Sequence, residues 1–530
     1  MIHLYEKATV LACESWSWGC HAHTTFKPAA TLTAAMLAVF CFAWWWAKKF
    51  TNINPPLPPG PRGLPILGNL PFIRPDLHRY FAELSEIYGP IFKLQLGTKT
   101  CIVVNSPSIA KAVLKDHDAI FANRDTPAAA VSGMFGGVSI VWRPNGPDFI
   151  RLRKLLLHEV MSKSRLDASY ELRRREVRRM TKELHRKTGS SVNLSEQVAL
   201  TTVKVMITTL WGGSSERSID LIELKKGLEE FVRIVGAPNV SDFLPVLAPF
   251  DLQGLESKSK KLLSWFYGIF ESEIMNRLRI EDAGNNNSDP ISKDFLQQLL
   301  ELNQRADDKI SLSDNEVKAL LLDLMIGGTD TTTSTVEWAM TELLRHPRKM
   351  AKLVEELDTV AGNRNIVEEE SLLPQLLYLN AVVKETLRLH PPAPLLLPHM
   401  PSETSTVAGY TIPKHSRVFI NAWAMQRDPQ LWDDPLGFEP ERFLEADISY
   451  QGNDLRYIPF GSGRRICAGI AMAEKTVGLI LAVLVQSFEW KLPEGMKLDM
   501  QEKFGVALRK MEPLVAIPFA RLSNPDQYQY

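Results

Sequence analysis

The stretch YIPFGSGRRICAGIAMAEKTV, residues 457–477, places one cysteine between a glycine-rich turn and an apolar pattern with helical spacing. Cys467 therefore precedes a predicted helix N-terminus, where free backbone N–H groups and the helix dipole stabilise a thiolate. Gly461, Gly463 and Gly469 allow the backbone to curl around the sulfur and to direct amides at it. The arrangement indicates a thiolate with a function.

Two chemistries use such a thiolate, nucleophilic catalysis and an axial bond to haem iron. Arg464 and Arg465 add positive charge beside the sulfur in either case. A nucleophile needs a histidine base, and no motif in the chain places one. A buried and inert cysteine is the third interpretation of this stretch.

Composition narrows the class of protein. The chain has 530 residues, 45% hydrophobic and 23% charged, with 61 basic and 61 acidic residues, which is typical of a globular protein and gives no argument for nucleic acid as a partner. Its five cysteines are scattered and form no CxxC pair. We therefore expect neither a disulfide framework nor a structural zinc site, and we expect a reducing compartment.

An uncharged stretch near the N-terminus, residues 29–47, is long enough to cross a bilayer as a helix. Trp44, Trp45 and Trp46 suit a membrane interface, and the lysines that follow favour a cytoplasmic C-terminal side. A cleaved signal peptide is the alternative. The predicted organisation is a polar extension of unassigned role (1–28), a transmembrane anchor (29–47), a basic and proline-rich linker (48–70) and one large catalytic domain (71–530).

The rest of the chain predicts a mainly α fold with a minor β region. Alternation predicts a β-hairpin over residues 90–107 and a second strand pair over 409–425. The polar stretch 280–293 reads as an exposed loop. Helical periodicity covers 150–160, 195–212, 221–235, 257–279 and 348–361.

The longest helix is predicted over residues 314–345, with Ser313 and Glu316 as a capping box. At 1.5 Å per residue it would span about 48 Å, enough to cross a domain.

Two adjacent glycines interrupt this helix at a cost of about 1 kcal/mol each. Gly327 and Gly328 either let a flat or diatomic ligand approach the backbone or allow close helix packing. A Thr331 hydroxyl can bond a carbonyl one turn back and open the helix locally, and Asp330 beside it forms a plausible proton-delivery pair.

Glu385 and Arg388 lie three residues apart on one predicted helix face and can pair. On a surface such a pair means little. Arg442, in the stretch FEPERF at 438–443, is a candidate third member of a buried network.

Together these stretches resemble the cytochrome P-450 family, and in particular its membrane-anchored plant enzymes, from residue 50 onward. The motifs that carry the resemblance are PPGP (58–61), GGTDTT (327–332), KETLR (384–388), PERF (440–443) and FGSGRRICAG (460–469).

The resemblance implies haem b, iron-protoporphyrin IX, with Cys467 as its thiolate ligand. It also implies Thr331 and Asp330 as proton-delivery residues. Glu385, Arg388 and Arg442 would form a buried structural network. The residues implied to contact the cofactor are Phe460, Gly463, Arg465, Gly469, Trp142, Arg153 and His399, of which Arg465 would pair with a propionate.

The chain departs from the family pattern at two places. Plant members usually have Trp-Arg where this chain has Phe149 and Ile150, which removes an indole N–H and a cation near the haem and affects haem and reductase binding. His399 stands where many relatives have arginine, and we expect it to donate to a propionate. Trp142 and Arg153 are expected on the helix that supplies further propionate contacts.

The implied activity is NADPH-dependent oxygenation by O2, with electrons from a membrane-bound reductase at the endoplasmic reticulum and a cytosolic catalytic domain. Lys154, Arg464 and Lys475 are the predicted docking residues.

The predicted substrate windows are mostly small or apolar, which favours a hydrophobic small molecule, a sesquiterpene or other terpenoid by resemblance. A hydroperoxide-rearranging isomerase or dehydratase and a non-catalytic haem-binding protein are the alternatives. The windows are 123–137, 235–250, 323–331, 393–397 and 504–508.

Overall fold

The computed structural model describes residues 55–131, 138–212, 220–282, 294–305, 312–361 and 370–528, with five isolated positions between 33 and 40. Those five positions, Thr33, Met36, Ala38, Val39 and Phe40, are helical and exposed. The remainder of the predicted anchor, the extension before it and nearly all of the predicted loop 280–293 lie outside the described residues.

Helices form most of the described domain, and every helical segment predicted from periodicity is confirmed. The predicted segment 150–160 comprises a helix that continues into a π-helical turn, Leu156–Val160. The helices are α1 Leu77–Tyr88, α2 Pro107–Lys111, α3 Asp118–Phe121, α4 Ala128–Val131, α5 Pro147–Leu155, α6 Lys163–Ala168, α7 Tyr170–Arg186, α8 Leu194–Trp211, α9 Leu221–Gly236, α10 Val240–Phe243, α11 Leu255–Asp282, α12 Phe295–Arg305, α13 Asp314–Arg345, α14 Pro347–Ala361, α15 Leu377–Leu389, α16 Ala422–Met425, α17 Arg442–Glu445 and α18 Ile470–Ser487.

Short strands make up small sheets. The strands are β1 Ile91–Leu96, β2 Lys99–Val104, β3 Asn123–Arg124, β4 Val192–Asn193, β5 His399–Met400, β6 Ser405–Val407, β7 Tyr410–Ile412, β8 Arg417–Ile420, β9 Phe488–Lys491, β10 Glu502–Lys503, β11 Arg509–Lys510 and β12 Val515–Ala520. One sheet has the order β1-β2-β8-β5-β3, a second has β4-β12-β9, and β10-β11 and β6-β7 are two-stranded.

The hairpin predicted over 90–107 is confirmed as antiparallel β1 and β2, but the strand pair predicted over 409–425 is wrong. In that segment β7 pairs with the preceding β6, whereas β8 pairs with β2 and β5. All four residues of β8 are buried, so their burial in the larger sheet outweighs a local hairpin.

Helix α13 is the central helix of the domain. Its bounds match the prediction, and the capping box of Ser313 and Glu316 is present. The two largest apolar clusters both include residues of α13, one along its first half and the other along its second. It therefore holds the site residues of its middle at a fixed place in the domain.

Among the described residues, one helix is long and apolar enough to cross a membrane. It is α18, and 78% of its apolar window is buried inside the domain.

Candidate functional site

The loop before α18 presents the sulfur of Cys467. Gly463 has a positive φ of 69°, and a Cβ there would lie 1.9 Å from the Leu114 carbonyl oxygen, so the turn admits only glycine. The Cys467 N–H donates to the Phe460 carbonyl at 2.9 Å. The Gly469 N–H, in the residue that caps α18, points at Sγ at 3.3 Å. The predicted approach of a backbone amide to the sulfur is present.

The electrostatics of Cys467 differ from the prediction. Its side chain is exposed, yet burial of the surrounding loop raises the pKa of the thiol, and the Gly469 amide and the Arg153 cation only oppose this rise. Arg464 pairs instead with Asp118 at 3.1 Å, on the surface. A thiol in such a site becomes a stable thiolate when a metal ion supplies the missing positive charge.

Three arginines cluster near this loop without a carboxylate partner among the described residues. Arg465 donates to the carbonyls of Ala122 at 2.6 Å and Ile140 at 3.2 Å. Arg153 donates to the Ile466 carbonyl at 2.6 Å. Arg124 is buried and donates to the carbonyls of Leu397 and Pro398, while its Nε has no partner in the described structure.

Burial and the repulsion between the guanidinium groups lower the pKa of two of these arginines. Burial, together with Arg465 and Arg153, lowers the pKa of Arg124 to about 9. Burial and Arg153 lower the pKa of Arg465 to about 10. Three partly desolvated cations and an orphaned N–H group form a cradle that fits an anion such as a carboxylate. The donors present therefore fit the propionate end of a haem, and the accessible thiol fits its iron.

Arg124 lies within the predicted substrate window 123–137 but was not predicted as a contact of the cofactor. It lies in the two-residue strand β3, and its carbonyl partners come from a segment more than 270 residues later, so no local pattern marks it. In the sequence it stands between two polar residues, Asn123 and Asp125, so nothing local distinguishes it from a surface cation.

The residues predicted to assist Arg465 divide into two groups. Arg153 lies on α5 as expected, but Trp142 precedes the first residue of that helix and packs in a neighbouring apolar cluster. Phe149 instead lies under Arg465, with the guanidinium carbon 3.7 Å from the ring centroid. Ile150 is 42% exposed, so its replacement of a basic residue changes the protein surface.

His399, which was predicted to donate to a propionate, is buried. Its Nδ1–H donates to the Phe121 carbonyl at 2.9 Å. Burial, followed by Arg124 and Arg465, holds the pKa of His399 well below its ordinary value. A contact between His399 and a propionate stays a prediction.

The two glycines of α13 have different surroundings. A Cβ at Gly328 would lie 2.6 Å from the Sδ of Met206 on α8, so this glycine serves helix packing. A Cβ at Gly327 would meet no atom within 4 Å, and Gly327 is exposed in the middle of a largely buried helix. The ligand-approach interpretation therefore fits Gly327 and the packing interpretation fits Gly328.

The Thr331 hydroxyl donates to the Gly327 carbonyl at 2.6 Å, as predicted. The helix stays continuous there, because Thr329, Thr333 and Thr335 make the same bond one turn back without interrupting it. The predicted local opening of α13 is absent.

Asp330 is buried, and its carboxylate lies 2.5 Å from the Arg509 guanidinium on β11. Burial raises the pKa of Asp330, and Arg509 opposes the rise. Arg509 is a second residue that the sequence interpretation missed.

The predicted network of Glu385, Arg388 and Arg442 is assembled in the interior. Both side chains of the Glu385–Arg388 pair are 0% exposed, with Arg388 Nε 2.7 Å from a Glu385 oxygen. Arg442 Nε donates to the other oxygen of Glu385 at 3.1 Å. Because Arg388 also donates to three backbone carbonyls, the network joins α15 to the segment before α17.

The predicted docking cations are largely paired within the chain. Lys475 pairs with Asp167 at 2.8 Å and with Glu370 at 3.0 Å, and Arg464 has its Asp118 partner. Lys154 is exposed on α5.

The comparison with known proteins covers the part of the chain that contains these motifs. A family model described as Cytochrome P-450 matches residues 58–516, which contain all five motifs and the geometry above. The chain belongs to the cytochrome P-450 family. The family is one of haem-thiolate monooxygenases that take up O2, a small-molecule substrate and electrons from a redox partner.

Relatives of this P-450 include plant enzymes and an animal structure. The chain is 39% identical to carnosic acid synthase of Salvia pomifera, over 87% of this chain and 93% of the relative. It is 40% identical to the probable (S)-N-methylcoclaurine 3'-hydroxylase isozyme 2 of Coptis japonica, over 88% and 94%. A zebra fish cytochrome P-450 structure with progesterone superposes with a TM-score of 0.71 at 25% identity, over 83% of this chain and 99% of that one.

Proposed function

We propose that this protein is an NADPH-dependent monooxygenase, supplied with electrons by a membrane-bound reductase, that inserts one oxygen atom from O2 into a hydrophobic small molecule. The observation that carries the proposal is the accessible thiol of Cys467 beside a cradle of three arginines for which the described part of the chain offers no carboxylate partner. An anionic, metal-containing planar cofactor satisfies both ends of this site.

We assign the binding roles as follows. Cys467 would hold the iron of haem b, and Arg124, Arg153 and Arg465 would hold its propionates through charge-assisted hydrogen bonds. Phe460 supports the loop, since its carbonyl accepts the Cys467 N–H and its ring packs edge-on against Tyr450 at 5.5 Å. When bound, thiolate-ligated haem supplies the activation of O2 that breaks the O–O bond.

Asp330 and Thr331 are the residues we assign to proton delivery. Both lie in the middle of α13, next to the open face at Gly327. Burial raises the pKa of the Asp330 carboxyl, which favours its protonated form, and a hydroxyl can relay a proton.

A terpenoid is the substrate class we propose. Described residues of the substrate windows include Leu395 and Ala507, which are buried and apolar. Carnosic acid synthase is among the relatives, which supports a terpenoid, although relatives of similar identity carry names of other products.

We further propose that the domain rests on the endoplasmic reticulum membrane with its catalytic part in the cytosol. Exposed apolar side chains occur in two segments, residues 64–72 and 246–252. The β1–β2 turn joins them, because Gly97 N–H donates to Leu67 and Thr98 N–H donates to Phe243. The combined apolar surface suits insertion into a bilayer interface next to a preceding anchor.

For the redox partner, Lys154 is the exposed cation that we assign to docking, and Ile150 lies one turn before it on α5. Charge reversal, Lys154→Glu, should slow electron transfer from the reductase while leaving substrate affinity intact. Arg464 and Lys475 already have carboxylate partners, so their reversal should have smaller effects. Unchanged electron-transfer rates in Lys154→Glu would contradict this assignment.

The decisive experiment uses microsomes that contain the chain and a plant reductase, incubated with sesquiterpene and monoterpene olefins under labelled dioxygen. An NADPH-dependent product with one labelled oxygen supports both the monooxygenase and the substrate class. Cys467→Ser is the matched control, and it should retain the far-UV circular dichroism of the fold but lose the thiolate-type spectrum of the reduced carbon monoxide complex. A product that forms from hydroperoxides without NADPH would favour the isomerase instead.

A further inference from the structure

The carboxylate of Asp330 is held away from its neighbour Thr331. Its oxygen lies 2.5 Å from Arg509, and the Asp330 side chain is 11% exposed against 36% for Arg509. The Thr331 proton goes to the Gly327 carbonyl. Successive residues on a helix point about 100° apart, so the acid and the hydroxyl face different neighbours.

Arg509 is shared between two carboxylates from different helices. Its other nitrogen lies 3.6 Å from Glu229 on α9. Glu229 also pairs with Lys225 at 3.1 Å, and Lys225 pairs with Glu196 on α8 at 3.0 Å. A displacement of α9 therefore changes how strongly Arg509 holds Asp330.

The backbone that carries Arg509 is fixed to the same central helix. The Ser334 hydroxyl donates to the Leu508 carbonyl at 2.6 Å, and the Leu508 N–H donates to the Pro392 carbonyl at 2.7 Å. The neighbouring Lys510 lies 4.6 Å over the Trp338 ring. Both residues that flank Arg509 in the chain are therefore held against α13, at positions one and two turns after Asp330.

We propose that Arg509 is a positioning residue that holds the Asp330 carboxylate on the β10–β11 hairpin, with Glu229 as its competitor, so that the acid reaches Thr331 only when this ion pair is exchanged. The inference rests on the proposed monooxygenase function. Helix α9 and the β10–β11 hairpin both adjoin predicted substrate windows. The ion pair therefore connects the substrate region to proton delivery.

Arg509 and Glu229 shift the pKa of Asp330 in opposite directions. Arg509 lowers the pKa of Asp330, Glu229 raises it, and Lys225 lowers it. Glu337 on α13 acts on Arg509 from two turns further along, and Glu196 acts through Lys225. Removing Arg509 should therefore raise the pKa of Asp330, and neutralising Glu229 should lower it.

The first test measures the ion pair without turnover. Thermal unfolding midpoints of the full-length holoprotein are compared for the wild type, Arg509→Gln, Asp330→Asn and the double variant. We expect a non-additive cycle, because the two groups are in contact. Arg233→Gln, which removes an exposed pair with Glu230 on the same α9, should add to Asp330→Asn without coupling. An additive cycle for Arg509 and Asp330 would overturn the proposal.

The second test measures product formed per NADPH oxidised as a function of pH. In Arg509→Gln the carboxyl reaches Thr331 without an exchange, so the ratio at neutral pH should rise above the wild-type value, whereas Asp330→Asn should lower it about tenfold or more, since positioned proton transfer contributes about 10²–10⁴-fold. The alkaline limb of the profile should move up in Arg509→Gln and down in Glu229→Gln, because Arg509 lowers the pKa of Asp330 and Glu229 raises it. Arg509→Lys, which keeps a cation beside Asp330, should bring the ratio back toward the wild-type value, and Arg233→Gln should leave it unchanged.

The outcomes separate the two proposals. Coupled unfolding together with oppositely shifted pH profiles supports the positioning role. Coupled unfolding with unchanged ratios and profiles overturns that role and leaves the monooxygenase in place. A wild-type protein that forms no NADPH-dependent product overturns the proposed function and this inference with it.

Discussion

Removal of the Arg388 side chain tests the buried network most directly. The guanidinium donates five hydrogen bonds at 2.7–2.9 Å, two to Glu385 and three to the carbonyls of Gln426, Pro435 and Gly437. Arg388→Met deletes all five and leaves a buried carboxylate with only the Arg442 Nε and one backbone amide. Breaking a buried pair by removing one partner costs about 3–5 kcal/mol.

The assay is urea unfolding of the detergent-solubilised protein, followed by circular dichroism. Arg456→Met is the matched control, because Arg456 makes an exposed pair with Asp454 and also lies over Trp432, as Arg388 does. The control should lose about 1 kcal/mol or less, as surface pairs do. Should Arg388→Met fail to accumulate, Arg388→Lys keeps the charge with fewer donors and should show an intermediate loss. A loss in Arg388→Met no larger than that of the control would refute the reasoning.

Three further predictions concern single positions near the site. Arg124→Leu should speed haem transfer to an acceptor protein by about tenfold or more, since a hydrogen bond to a charged group contributes ~1.5–3 kcal/mol; an unchanged transfer rate would remove Arg124 from the cradle. Gly327→Ala should raise the thermal midpoint of the haem-free protein and weaken haem retention, whereas Gly328→Ala should raise the midpoint less, because its methyl must displace the Met206 side chain; equal effects of the two variants would contradict the division of roles. Burial raises the pKa of Asp323 to about 7, so between about pH 4 and pH 7 the folded state keeps a proton that the unfolded state has lost. The free energy of unfolding should therefore fall as the pH rises through this range. Asp323→Asn should flatten this pH dependence in unfolding measured at several pH values, and an unchanged slope would show that other groups cause it.

Local pattern was sufficient where the interacting residues are close in sequence. Only a few residues separate Cys467 from the positive-φ Gly463 before it and from the start of α18 after it. The capping box of α13 joins two residues that are three positions apart. Glu385 and Arg388 meet because they are three apart on one helix. Sequence determined these features, and with them the family, because backbone conformation and helical spacing act over short distances.

Tertiary structure decided the features that depend on residues far apart in the chain. Met206 distinguishes Gly328 from Gly327, the 397–398 carbonyls orient Arg124, and Arg509 reaches Asp330 across nearly 180 residues. Strand β8 pairs with β2 in the larger sheet and not with β7, the neighbour in sequence that was predicted as its partner. In each case the interaction forms because the fold buries the two surfaces against each other. The free energy of desolvating an ion or of filling a gap depends on that packing, and a local stretch of sequence does not determine it.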